Sequence, residues 1–113
     1  MKSFALACLA LGVAACQSIP PGEPAANRAR GLLIAKDSCG GCHQTRRNGS
    51  SPNPDAPPFA DIANREGLTA EALSSWLRDS HNYPAEMGFY LDQRQIDDLA
   101  VYMIALRSGG ADR

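Results

Sequence analysis

The sequence predicts an all-α domain. Apolar residues recur at spacings of three and four in three separate stretches, which is the period of a buried helix face. Asp92 followed three residues later by Gln95 gives a strong helix-start signal. No run of alternating β-branched residues competes with these helices. With 113 residues there is room for one small domain and no second.

The first residues have the pattern of an export signal. Lys2 supplies a positive start and "FALACLALGVAA", Phe4 to Ala15, is an apolar run too short to span a bilayer comfortably. Residues 1–15 are therefore expected to be removed. "VAAC", ending at Cys16, resembles the bacterial lipobox, in which the cysteine becomes the lipidated first residue of the mature protein. Residues 16–25 then read as a lipid-attachment site and tether, because Pro20, Pro21, Gly22 and Pro24 disfavour both helix and sheet. The domain proper is expected over 26–113.

Residues 26–36, "ANRARGLLIAK", are good helix formers with Ala29, Leu32 and Leu33 as an apolar stripe. Gly31 is anomalous there, since glycine inside a helix costs about 0.5–1 kcal/mol against alanine and often marks a close approach of another backbone. Residues 44–58 are rich in Pro, Asn, Ser and Gly and predict a long loop that wraps something. "FADIANREG" predicts a short helix ended by Gly67, and "TAEALSSWLRDSH" a helix capped by Thr69 with Leu73, Trp76 and Leu77 on its apolar face. The last helix is expected to run about fifteen residues from the Asp92 cap, with Leu91 and Ile96 as a hydrophobic staple and Ile96, Leu99, Met103 and Leu106 as its stripe.

The formal charge of −1 becomes −2 once Lys2 is removed, and nothing in it points to nucleic acid. Of the four cysteines, Cys8 leaves with the signal and Cys16 sits at the cleavage point, so Cys39 and Cys42 form the only internal pair. They stand in "CGGCH", where two cysteines separated by two residues and followed at once by His43 make the attachment signature of a c-type haem. One helical turn brings both thiols to the same side, where each can join a haem vinyl group, and His43 then lies beneath the iron as an axial ligand. Gly40 and Gly41 leave room for the backbone against the macrocycle. A thioredoxin-like pair would want a βαβ pattern, and a structural zinc site needs four ligands with better spacing than adjacent Cys42 and His43. A covalent apolar macrocycle also supplements the core of a chain this short, with few aromatic residues.

These features resemble a small monohaem class I cytochrome c, from Gly31 to Leu106. The resemblance rests on Gly31 eight residues before Cys39, on "CGGCH", on the "LxxY" of Leu99 and Tyr102, and on "PPF" at Pro57 to Phe59. It implies a class I cytochrome c fold in which the N- and C-terminal helices cross and helices and loops enclose the haem, with one covalent haem c as cofactor. It further implies that the crossing explains Gly31, and that a proline carbonyl at Pro57 accepts the Nδ1 proton of His43.

For the second axial position three side chains come into question: Met87, His81 and Met103. Met103 belongs to the apolar stripe of the last helix, and His81 suits the end of a helix as a solvated residue. The resemblance implies Met87, in the loop before the last helix, although Gly88 follows it where the family usually has proline. Trp76 could reach a haem propionate through its N–H or serve as core packing, and Arg46, Arg47 and Arg65 are candidates to neutralise propionates. The function expected is that of a monomeric one-electron carrier rather than an enzyme, outside the cytoplasmic membrane and lipid-tethered, docking transiently with redox proteins near Cys39 and Cys42. The alternatives are a five-coordinate haem sensor or peroxide-active enzyme, and a fixed electron-transfer subunit of a dehydrogenase or oxidase complex.

Overall fold

A computed structural model describes residues 24–79, 82 and 84–108. The expected signal segment, Cys16, most of the tether and His81 lie outside the described residues. Four α-helices follow one another: α1 (Pro24–Ile34), α2 (Phe59–Ala63), α3 (Ala70–Arg78) and α4 (Gln93–Ile104). A π-helical turn, Ala35–Cys39, extends α1, and a short 3-10 turn, Ala85–Met87, precedes α4. Among the described residues there is no strand, and no helix is long and apolar enough to cross a membrane.

Helix α1 begins inside the segment assigned to the tether. Proline is tolerated in the first turn of a helix, where its missing N–H would have no partner and its fixed φ suits the helix, so Pro24 starts the helix instead of prolonging the extended chain.

The buried face of α1 also differs from the stripe expected. Leu33 is 60% exposed and Ala29 is exposed, whereas Gly31 and Ala35, four apart, are buried. The reason is the crossing with α4. A Cβ on Gly31 would fall on the Asp98 backbone carbonyl and 2.5 Å from the Tyr102 Cβ, so the helices meet backbone to backbone and the small residues set the contact face. Leu32 and Ile34 pack at its sides. Arg30 reinforces the crossing by donating to both oxygens of Asp98, at 2.6 and 3.0 Å, and the pairing raises the guanidinium's pKa further.

Local chemistry starts α3 and α4 where the sequence places them. The Thr69 hydroxyl accepts from Ala72 N at 3.1 Å. Asp92 accepts from Gln95 N at 2.9 Å while Gln95 Oε1 accepts from Asp92 N at 2.9 Å, a complete capping box. Leu91 and Ile96 both join the core. Helix α4 ends at Ile104, somewhat short of expectation, and Arg47 donates to the carbonyls of Ala105 and Arg107 just beyond it, at 3.1 Å each. Helix α4 is the spine of the domain, with α1, α2 and α3 all packed on it and Leu99 only 1% exposed at the centre.

Candidate functional site

The π-helical turn delivers Cys39, and the chain reverses at once behind it. Cys42 N and His43 N both donate to the Cys39 carbonyl, at 3.1 and 2.9 Å, closing a turn that turns "CGGCH" toward the interior. Gly40 is required by this turn: a Cβ there would lie 2.7 Å from the Lys36 carbonyl oxygen. Gly41 has nothing within 4 Å of its would-be Cβ. The tight constraint at Gly40 is thus the turn's own backbone. The two thiols are not joined to each other. Cys39 is half-buried, and burial pushes its thiol up to about 11, which keeps it protonated at neutral pH; Cys42 is exposed.

His43 is 9% exposed, and its Nδ1 lies 2.8 Å from the Pro57 carbonyl oxygen. A carbonyl only accepts, so Nδ1 carries the ring proton and Nε2 presents its lone pair. The Phe59 ring sits 5.3 Å from the imidazole, tilted at 47°. The loop wrapping around this histidine is pinned at several points. Asn53 N donates to Cys42 O at 3.1 Å, Gln44 N to the Ser51 hydroxyl at 3.0 Å, and Phe59 N to Gln44 O at 2.9 Å. From α4, the buried Tyr102 hydroxyl donates to Thr45 O at 2.6 Å, and burial pushes its phenol up. The residues from Cys42 to Thr45 are therefore tied both to their own loop and to the last helix.

Cys39, Cys42, His43, Pro57, Trp76 and Met87 all line one cavity of about 830 Å³. Its remaining wall is mainly apolar, with Phe59, Leu73, Leu77, Leu99 and Met103 among the buried members. That volume is in the range of sites that enclose a sizeable organic ligand. Met87 is half-buried at the end of its 3-10 turn, and Trp76 is 41% exposed at the rim of α3. Met103 is 3% exposed, a core residue that also walls the cavity.

Of the three arginines singled out by sequence, Arg65 alone lines the cavity. Arg47 is used at the end of α4, and Arg46 is exposed away from the lining. Arg65 is held in place from α4: Arg107 donates to Ala63 O at 2.8 Å and to Leu68 O at 2.6 Å, bracketing the loop that carries it. Sequence reading did not assign Arg107 this part, nor did it find Asn53, Asp55 and Ala56 in the lining. Irregular loops have no periodicity to betray which residue turns inward, and an arginine near a chain end looks like any solvated charge. Among the described residues no three His, Cys, Asp or Glu side chains come together to hold a metal ion by themselves, which leaves the zinc alternative without a ligand set.

Comparison with known proteins agrees with the site's chemistry. The family profile described as Cytochrome c matches residues 28–107. The chain is 33% identical over 100 residues to a protein named cytochrome c-552 from Bradyrhizobium diazoefficiens, covering 88% of this chain and 91% of that protein. No solved structure matches the chain. A largely apolar cavity with two thiols and an Nε2 lone pair on its wall fits a covalently held haem, and an all-α domain with its first and last helices crossing at a glycine fits the class I architecture. The chain belongs to the cytochrome c family, a small class I member that binds one haem c covalently and works in haem-based electron transfer.

Proposed function

We propose that this protein is a one-electron carrier with His43 and Met87 as the axial pair, shuttling between redox proteins outside the cytoplasmic membrane and turning over no substrate of its own. The observation that carries the reading is that His43, with Nε2 free, and Met87 line the same cavity as the two thiols. Cys39 and Cys42 are the side chains that would hold the haem through thioethers. When bound, the haem supplies a one-electron couple at its iron, and imidazole with thioether ligation suits both oxidation states while raising the potential.

The chain's own residues do the rest. Pro57 O fixes the tautomer and ring plane of His43, and Phe59 limits its tilt. The apolar wall of Leu73, Leu77, Leu99 and Met103 excludes water, so little solvent has to reorganise when the charge at the centre changes. Arg65, the cation on the wall, and the Trp76 indole are the groups suited to the cofactor's carboxylates. Residues 1–15 would direct export, and Cys16 with the tether would hold the domain to a membrane. A Cys16→Ser variant that remains in the membrane fraction as fully as wild type would count against that anchor.

Optical spectra of Met87→Ala beside wild type test the ligation. The variant is expected to lose the weak sulfur-to-iron charge-transfer band and, when reduced, to bind carbon monoxide readily at neutral pH. Ready carbon monoxide binding by the wild type would overturn the assignment and favour a five-coordinate sensor or peroxide-active enzyme.

A further inference from the structure

The mouth of the cavity has a chemistry of its own. A groove of about 100 Å³ runs between Ser38, Gly41 and Cys42 on one side and Glu86, Gly88 and Phe89 on the other, and Cys39, His43 and Met87 also line it. Glu86 is the one charged side chain among its lining residues. Lys36 and Asp37, the charges that precede it in the chain, are both exposed and of opposite sign. Gly41, Cys42, Ala85 and Gly88 are exposed and uncharged, so the rim is bare of cations and low in polarity.

Beside this rim stands Tyr90, 92% exposed. Its neighbours Phe89 and Leu91 both pack against the core, which leaves the residue between them facing out. A single exposed aromatic is ordinary on any protein surface. Here it adjoins an uncharged rim at the place where the Cys42 and Met87 walls meet solvent. Tyrosine offers a large contact area for the loss of only two side-chain torsions, which makes it a frequent anchor of interfaces.

We propose that this face is the docking surface for a redox protein that presents an apolar patch bordered by basic side chains, with Tyr90 as the anchor and Glu86 as the charge that selects the basic border. The inference rests on the electron-carrier reading. An acidic border on the partner would bring like charges together at Glu86, and a highly polar patch would leave Tyr90 without apolar contact. The contact area is small, as suits a partner that must leave after each turnover. In that turnover one electron passes from the reduced protein to the oxidised partner, with no bond made or broken and no proton moved.

Two inorganic oxidants imitate the two kinds of partner: tris(phenanthroline)cobalt(III), an apolar aromatic cation, and hexacyanoferrate(III), a polar anion. Stopped-flow oxidation of the reduced haem-loaded protein is compared for wild type, Tyr90→Ser, Glu86→Gln and Asp61→Asn, the last neutralising an exposed acid on α2. Tyr90→Ser is expected to slow the cobalt reaction about threefold and leave the hexacyanoferrate rate unchanged. Glu86→Gln is expected to slow the cobalt reaction about twofold at low salt and not at high salt. Asp61→Asn should leave both rates near wild type, and all variants should keep the wild-type spectrum and potential. Equal slowing by Asp61→Asn would mean that net charge alone is at work, and an unaltered cobalt rate in Tyr90→Ser, or a shifted potential that moves both rates together, would overturn the docking surface. Failure of the wild type to reduce either oxidant would sink the carrier reading instead.

Discussion

The two sides of the cavity are built by different means. On the His43 side, five hydrogen bonds between residues distant in sequence hold the chain from Cys42 to Thr45: His43 to Pro57 O, Asn53 to Cys42 O, Gln44 to Ser51, Phe59 to Gln44 O and Tyr102 to Thr45 O. On the Met87 side the residue's own backbone bonds are local, Met87 N to Pro84 O and Phe89 N to Met87 O, both 2.9 Å. The imidazole's place is thus imposed by the fold. The thioether's place is set by one short turn and by whatever fills the cavity. Segments with few long-range ties open at the lowest free energy, so the Met87 side is where the site is expected to loosen first.

Matched truncations test that contrast most severely. Phe59→Ala removes a ring 3% exposed against His43 and is expected to cost about 3–4 kcal/mol, whereas Phe89→Ala, half-buried beside Met87, is expected to cost about 1–2 kcal/mol. Urea unfolding of the haem-loaded variants gives both numbers. Equal losses would mean that the two walls are held alike.

A smaller effect is expected where the last helix grips the His43 side. Tyr102→Phe leaves the Thr45 carbonyl without its donor and should cost about 1 kcal/mol at neutral pH. Burial raises the phenol's pKa in the folded state, so the wild type holds this advantage in full below pH ~10 and loses it as pH rises through the higher folded value. The gap between the two proteins should therefore narrow above pH ~10, measured by unfolding at successive pH values. A gap that widens there would contradict the buried, protonated hydroxyl.

The smallest change sharpens the Met87 side. Gly88 has φ −71°, and a Cβ there would make only ordinary contact with Ala85 O at 3.4 Å. Gly88→Ala should stabilise the protein by about 0.5 kcal/mol by restricting the unfolded chain, and slow the displacement of Met87 by added imidazole. Destabilisation would show that the turn needs glycine's freedom.

Much of this was legible before any coordinates. Thr69 and Asp92 announce their helices because a cap is a bond between a side chain and a backbone three residues away. Gly31 declared a close approach by the cost of glycine in a helix, though the partner came into view only with α4. The stripe of α1 was misjudged for the same reason: counting apolar side chains favours Leu33, while a crossing that brings backbones together selects Gly31 and Ala35. Arg46, Arg47 and Arg65 were indistinguishable in sequence, and the loop that Arg107 brackets put one of them on the cavity wall.

Sequence alone determined the covalent chemistry, because two thiols and an imidazole within five consecutive residues are brought to one side by a single turn of backbone. Tertiary structure decided what lies across from them. Pro57, Trp76, Arg65 and Met87 reach the same cavity only through the folding of loops and helices around α4. Local geometry is written in spacing, whereas the meeting of residues far apart in the chain depends on packing that no spacing encodes.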